Sequence, residues 1–433
     1  MEDILEKAKK VAEEAEVFAV TSESTPVHFE ANRLKHVQST QSTSVALRII
    51  REGRIGYATA TELENSQELV DMAVETARFG SKAEFEFPSL SSYPEVEIFD
   101  SGVEKISTGA MTKLGEEMIT ALISNTPELL CEAAVSKGVV SVRLINSRGG
   151  QTSYRQSFFS LGIEGTLIQD TDMLFVGDSQ SSCRPIVETG GITQVVLRQL
   201  ELARNQASAP TRLMPVVFTS LGVASALVRP LMAAFNGKMV LEGASPIGDK
   251  LGQRVFDEKL ELWDDSTLAY RPSSSPFDDE GVPAQRTSLI EKGVVRNFLY
   301  DLQTAALANT RSTGNGQRSR GGLPTPSPSA FIIAPGKTGF DEMVSDIKEG
   351  LVVEELMGAT QGNILGGDFS GNVLLGFKIE NGKIVGRVKD TMVSGNIYQL
   401  LKEITAIGSD ARWVGSSLNT PPLYLSSVSV ASK

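Results

Sequence analysis

A single glutamate, Glu242, closes the apolar stretch Ser225–Asp249, and within that stretch only it and Asp249 could handle a proton at neutral pH. Paired histidines one helical turn apart with such a glutamate would hold a zinc ion and activate its water. No histidine occurs there. Other acids cluster at Asp264-Asp265 and Asp278-Asp279-Glu280. Carboxylate pairs of this kind can bind magnesium or act as acid and base in glycoside hydrolysis. Their neighbours Pro272, Pro276 and Gly281 favour solvated turns instead, because adjacent side chains diverge. The piece Gly362–Gly371 (GNILGGDFSG) has the glycine density of a phosphate loop, but no GK[ST] follows it. The only histidines, His28 and His36, flank the Asn32 turn and would face each other across a tight hairpin. Such a pair could hold an adventitious metal, but it lacks the further ligands of a tetrahedral site, and a Ser-His-Asp relay has no histidine elsewhere to use.

The elements that would position these groups follow from periodicity. Ala226, Leu227, Leu231, Met232, Ala234, Phe235, Met239 and Val240 recur at spacings of three and four, which predicts a buried helix ending in the loop Gly243–Gly248. The N-terminal MEDILEKAKKVAEEAEVF reads as an amphipathic helix. Short alternating segments follow at Val17–Thr21, Pro26–Phe29, Leu34–Ser39, Ser44–Arg51 and Ile55–Thr59, punctuated at Asn32-Arg33 and Glu52-Gly53. Helices are expected at Asn65–Phe79, Thr108–Ser124 and Val187–Ala203. Between the last two come strands at Leu130–Lys137, Val139–Ser147, Gln151–Glu164 and Thr166–Val176. That order suggests a duplicated α+β half. From Gln253 on, strands dominate, joined by turns such as Glu291-Lys292-Gly293 and Asn381-Gly382.

The expected fold class is therefore α+β. An N-terminal α+β domain with antiparallel meanders spans residues 1–204, and a C-terminal domain dominated by a large, mostly antiparallel sheet spans 205–433, with Asn205–Pro215 as the boundary. A chain of 433 residues with net charge −12 repels a phosphate backbone and shows no nucleic-acid motif. It holds no apolar run long enough for a membrane span and no secretory signal, so a cytoplasmic location is expected. Cys131 and Cys183 lie far apart and read as packed thiols. The loop Ser312–Pro328, with Arg311, Arg318 and Arg320, is the one basic stretch and reads as a mobile surface loop or a lid over substrate.

Ordered blocks of the C-terminal half resemble the TldD/PmbA family. They are Phe277–Val282, Ser312-Thr313-Gly314, Gly350–Gly358, Gly367–Ser370, Gly376-Phe377 and Ile379–Gly382, and the block Val37–Thr61 is similar to the family's first domain. Members are described as metalloproteases and, in older naming, as modulators of DNA gyrase, a label that a chain of this charge does not favour. The resemblance implies that TldD-type members hold zinc through an HExxxH helix and a late cysteine. Here the matching segment Lys238–Asp249 has no histidine, and Trp413–Leu418 offers Gly415, Ser416 and Ser417 in place of the cysteine. Glu242, Ser416 and Ser417 then mark a degenerate metal-site region, with no catalytic residue and no metal assigned to this chain.

The branch implied is the PmbA (TldE) type: a subunit without zinc that pairs with a TldD-type paralogue carrying the zinc, or with itself, and acts on unfolded or extended peptides. The glycine-lined region Gly358–Gly376 is the candidate substrate contact through Gly358, Gly366, Gly367, Asp368, Ser370 and Gly376, where a peptide could be added as a strand. Two alternatives stay open. One is a metal-free protein that binds extended peptides alone, and the other is a hydrolase using Asp278–Glu280 or Glu242.

Overall fold

The computed structural model describes residues 1–61, 65–89, 91–319 and 322–432. Its first part is built on one antiparallel sheet. After α1 (Glu2–Ala8) come β1 (Glu14–Glu30), β2 (Arg33–Val37), β3 (Thr40–Arg51) and β4 (Arg54–Ala60). Then α2 (Ser66–Ala77), α3 (Ser101–Lys105) and α4 (Thr108–Asn125) lead into β5 (Leu130–Asn146), β6 (Gln151–Gln169) and β7 (Asp172–Ser182), and α5 (Gly190–Leu202) closes the series. The strand order is β4-β3-β1-β5-β6-β7, with β2 paired to the distal end of β1. The two expected meanders are thus one sheet, joined where Glu16–Phe29 of β1 pairs with Ala133–Asn146 of β5. Segments expected as separate strands, such as Val17–Thr21 with Pro26–Phe29, run through as single long strands because each pairs continuously with a neighbour.

Turn chemistry sets the hairpins. Ala31-Asn32, Glu52-Gly53, Lys292-Gly293 and Asn381-Gly382 all have positive φ at both positions, the geometry whose twist matches the flanking strands. His28 and His36 face each other in register, with ring centroids 5.3 Å apart. The sheet is covered on one face by helices. Ile4, Leu5, Leu69, Val70 and Ala73 pack on Val17, Leu47 and Ile49, and the apolar side of α4 packs on Phe29, Cys131 and Val135. Burial pushes the Cys131 thiol up to about 11 and Cys183 to about 12, so both stay protonated and unreactive.

The remainder begins with β8 (Gln206–Ala207) and β9 (Arg212–Phe218). The expected apolar helix follows, starting earlier than its periodicity suggests: α6 (Ser220–Val223) passes through a π-turn (Ala224–Val228) into α7 (Arg229–Ala234). It stops at Phe235-Asn236, where the Asn236 side chain accepts from the N–H groups of Lys238 and Met239 and starts α8 (Gly237–Leu241). Short elements come next: β10 (Leu262–Asp265), β11 (Arg286–Glu291), β12 (Val294–Val295), α9 (Leu302–Leu307), β13 (Gly316–Arg318), β14 (Pro324–Pro326), β15 (Phe331–Ile333) and α10 (Phe340–Ser345). Last are β16 (Glu349–Met357), β17 (Asp368–Glu380), β18 (Lys383–Val388), β19 (Thr391–Asn396), α11 (Ile397–Leu400), β20 (Ile404–Ile407), β21 (Arg412–Val414), β22 (Leu418–Thr420) and β23 (Leu423–Ser432).

The largest sheet here runs β16-β9-β23-β19-β17-β18-β8, and β16 also pairs with β17. That pairing closes β16, β9, β23, β19 and β17 into a ring, which removes the edges an open sheet would expose. Phe218, Val353, Phe369, Val393 and Leu425 belong to the core that fills it, together with Leu227 and Leu231 of the helix. The fold is α+β with large antiparallel sheets.

Candidate functional site

Phe277 anchors the acidic segment to the first sheet. It is 2% exposed and packs with Phe18, Ala46, Val142 and Leu144 on the face opposite the helices, with the Tyr93 ring tilted against its own at 5.2 Å and Tyr154 edge-on at 5.1 Å. Of the three acids that follow, Asp278 and Glu280 are consequently buried and Asp279 is partly buried, not solvated as their loop composition suggested. Asp278 is 7% exposed and Glu280 fully buried. The Asp278 carboxylate accepts from the N–H groups of Glu280, Val282 and Gly316 at 3.0, 2.9 and 2.8 Å, so it acts as the peg of a turn. Burial, with the adjacent Glu280 charge, raises its pKa well above the usual carboxylate range.

Below this segment lies a buried ion cluster. Glu16 of β1 and Arg48 of β3 are cross-strand partners, and the Arg48 guanidinium lies 3.0 Å from Glu16 while donating to Glu280 Oε1 at 2.6 Å. Arg318 of β13 reaches Glu16 from above at 2.5 Å, and its own N–H donates to Asp279 Oδ2 at 2.7 Å. Its side chain is 2% exposed. The expectation of a mobile basic loop therefore fails at Arg318, which is pinned between the sheet and Asp279, whereas Arg311 is exposed and Arg320 lies outside the described residues. Burial lifts Asp279 to about 6 and Asp301 to about 6. Asp264, held by Asn315 Nδ2 at 2.6 Å and Ser329 N at 2.8 Å, is lifted by burial to about 7.

Above the cluster opens a cavity of about 680 Å³ between the first sheet and the second part of the chain. The end of α7 and the turn after it contribute Met232, Ala233 and Asn236, the segment before Phe277 contributes Ser273–Ser275, and the turn between β21 and β22 contributes Ser416 and Ser417. Gln156 of β6 and Gln317 of β13 complete the polar wall. The Ser273 and Ser274 hydroxyls are buried without a protein partner. Gln156 Nε2 donates to the Ser274 carbonyl at 2.9 Å and so ties the wall to the first sheet. Hydroxyls and amides of this kind can both donate and accept, which suits the main chain of a bound polypeptide. No histidine lines the cavity, so a Ser-His pair is not available there, and its titratable groups are Asp278, Asp279, Arg318 and the Tyr154 phenol.

The residues singled out in the sequence part company here. Ser416 and Ser417 line the cavity, and Ser417 also accepts the Phe331 N–H at 2.7 Å through its carbonyl. Glu242 does not. It caps α8 at the surface, 52% exposed and 4.0 Å from Lys238. Met232 and Ala233 of α7 and Asn236, the cap of α8, line the cavity with Ser416 and Ser417, and all three precede Lys238–Asp249. None of Gly358, Gly366, Gly367, Asp368, Ser370 and Gly376 lines the cavity either. Gly367 has φ +81°, and a Cβ there would meet the Tyr398 ring at 2.4 Å; Asp368 accepts from Asn396 Nδ2 at 2.8 Å. Ser370 pairs with Ser394 of β19, and Gly376 with Val353 of β16. β17 pairs with β16 along 372–380, with β18 along 377–380 and with β19 along 368–372, which leaves no continuous free edge on which to add a peptide strand there.

The donor set does not fit a zinc ion. Side chains around the Ser416-Ser417 turn are hydroxyl, amide and thioether groups, and the nearby carboxyls of Asp278 and Asp279 are occupied by backbone N–H donors. Among the described residues no three His, Cys, Asp or Glu side chains are grouped to hold a metal. Sequence reasoning missed Glu16, Arg48, Ser273, Ser274 and Met232, which carry no motif. The Phe277–Val282 block, Arg318 and the Ser416-Ser417 pair pointed toward the place where they meet.

Family comparison bears on this geometry. Residues 211–432 match the PmbA/TldA metallopeptidase C-terminal domain, and residues 15–78 match domain 1 of the same metallopeptidases. An uncharacterized protein of Methanocaldococcus jannaschii is 30% identical over 92% of this chain and 93% of its own length. The chain belongs to the PmbA/TldD family. A metalloprotease of Methanothermobacter thermautotrophicus is 25% identical over 92% of the chain and 89% of its own length, and metalloprotease PmbA of Escherichia coli O157:H7 is 26% identical over 94% and 90%. TldE from Thermococcus kodakarensis superposes with a TM-score of 0.90 at 23% identity, covering 100% of this chain and 99% of the other. A proposed modulator of a DNA gyrase from Thermotoga maritima superposes with a TM-score of 0.89 at 22% identity, covering 99% of each chain. At these identities the two structures establish the shared fold. Among the described residues no helix is long and apolar enough to cross a membrane.

Proposed function

We propose that this member of the PmbA/TldD family is the zinc-free subunit of a cytoplasmic metallopeptidase that acts on unfolded or extended peptides, paired with a TldD-type paralogue or with a second copy of itself. The observation that carries this reading is the cavity where the helix end and the Ser416-Ser417 turn meet. It has a volume of about 680 Å³ and a wall of hydroxyls and amides, and Met232, Ala233, Asn236, Ser416 and Ser417 of its lining bring no histidine, cysteine or carboxylate to it. Such a wall contacts peptide main chain with little side-chain preference. The zinc, and the water it activates, belong to the partner.

Strand addition at Gly358–Gly376 has little room, because β17 pairs with β16, β18 and β19 and only the short stretches 368–371 and 373–376 have a single partner strand. Peptide contact is assigned instead to the cavity wall. Reconstitution tests the reading. Each protein alone, this chain and an HExxxH-bearing paralogue, is assayed on an unfolded polypeptide, then both together, then both with a chelator. Activity should arise on mixing and vanish with the chelator. Metal-independent hydrolysis by this chain alone would overturn the proposal.

A further inference from the structure

A second cavity, of about 270 Å³, lies between α5, the start of α6, β16 and β21. It falls just under the roughly 300–1,000 Å³ of pockets that take drug-sized ligands, so its scale suits a single small molecule. Leu202, Phe340, Phe377 and Ile384 give it apolar walls, with Val352 at their base. Into this lining project the Glu354 carboxyl and two guanidinium groups, Arg198 and Arg412, and the exposed Asp410 carboxyl also lines it.

The charges are only partly satisfied by one another. Glu354 Oε2 accepts from Gln199 Nε2 at 2.8 Å, and Gln199 in turn is held by the N–H and carbonyl of Gly177 at 2.9 and 3.2 Å. That fixes the carboxyl and leaves its other oxygen to the cavity. Among the described residues Glu354 forms no ion pair. Burial raises its pKa, against the Gln199 hydrogen bond and the charges of Arg198 and Arg412, which are near enough to be felt. Arg412 is engaged by Asp178 at 2.8 Å. Arg198 lies over the Phe340 ring at 5.4 Å from its centroid, and its one ion pair is loose, 3.6 Å to an Asp341 side chain that is 95% exposed, which contributes little.

An acid and a base set more than 4 Å apart beside an apolar chamber present the complement of a zwitterion with an apolar side chain. We propose that this cavity binds a free apolar α-amino acid of leucine or phenylalanine size. Its ammonium group sits on the open oxygen of Glu354, its carboxylate on Arg198, and its side chain among Leu202, Phe340, Phe377 and Ile384. Charge-assisted hydrogen bonds at both ends of the head group select a free amino acid over a residue within a peptide, which has lost at least one of the two charges.

Titration calorimetry on the full chain tests it, with leucine and phenylalanine as ligands and leucinamide, N-acetyl-leucine and serine as comparisons. Leucine or phenylalanine should bind. Leucinamide, lacking the carboxylate, and N-acetyl-leucine, lacking the ammonium, should each bind at least about tenfold more weakly, and serine should lose the apolar contribution. Glu354→Gln should weaken leucine by a similar factor. Arg198→Ala provides the second test, because Arg198 is 59% exposed and its loss leaves the core intact. Absence of binding by either apolar amino acid, equal affinity for all the analogues, or undiminished affinity in Arg198→Ala would each overturn the assignment.

Discussion

Arg48 donates to Glu280 at 2.6 Å across 232 positions of sequence, inside a part of the protein where both side chains are almost fully buried. This contact, with Glu16 beside it, ties the first sheet to the segment that forms the cavity floor. A buried pair of this kind is costly to break, because the remaining partner is left charged and unpaired.

Replacing Arg48 with Met should therefore destabilise the protein by about 3–5 kcal/mol, read from denaturant unfolding. Combining it with Glu280→Gln should cost less than the sum of the two single changes, since the second removes one of the carboxylates orphaned by the first. Strict additivity would show that the contact does not link the two parts.

Asp264 governs a pH response. Its pKa is raised by burial to about 7, so the folded state holds the proton more tightly than the unfolded chain, whose carboxyl releases it near 4. The sign follows: the contribution of this group is fully present below about pH 4 and is lost as pH rises through about 7. Asp264→Asn, which stays neutral, should flatten the fall in stability between those values relative to the parent chain. The comparison subtracts every other carboxyl, and parallel melting-temperature profiles for the two proteins would contradict it.

Two glycines separate backbone strain from crowding. Gly53 has φ +67° and nothing within 4 Å of a built Cβ, so Gly53→Ala should cost only the left-handed backbone penalty, about 1–2 kcal/mol. Gly367 has φ +81° and the Tyr398 ring at 2.4 Å. Gly367→Ala should exceed the Gly53 change by about 1–3 kcal/mol, and the excess should shrink in a Tyr398→Ala background. Equal losses at the two sites, measured by chemical denaturation, would deny the role of the ring.

Glu242→Gln should leave peptide hydrolysis by the reconstituted pair unchanged and shift stability by no more than about 0.5 kcal/mol, as expected for an exposed side chain loosely paired to Lys238. A large loss of activity would bring Glu242 back as a proton carrier.

What the sequence determined by itself was local or pairwise in character. The positive-φ turns at Asn32, Gly53, Gly293 and Gly382 were readable because few residue types accept that backbone, and the Asn32 turn put His28 opposite His36. Apolar periodicity marked Ala226–Val240 as one buried helix, which the structure breaks at Phe235-Asn236, because the side-chain cap at Asn236 is something periodicity does not see. The ordered blocks pointed to the family, and the α+β class followed from the run of elements. Tertiary structure alone decided the rest. Asp278-Asp279-Glu280 read as a solvated turn because composition cannot register Phe277 pulling it onto a sheet or Arg48 and Arg318 arriving from distant strands to neutralise it. Glu242 and Ser416 were placed together by analogy, and they separate because the chain restarts at Asn236 as a second short helix that ends with Glu242 at the surface. Gly358–Gly376 looked open to an added strand until β16 closed on β17, a pairing fixed by the ring as a whole and by no residue within it.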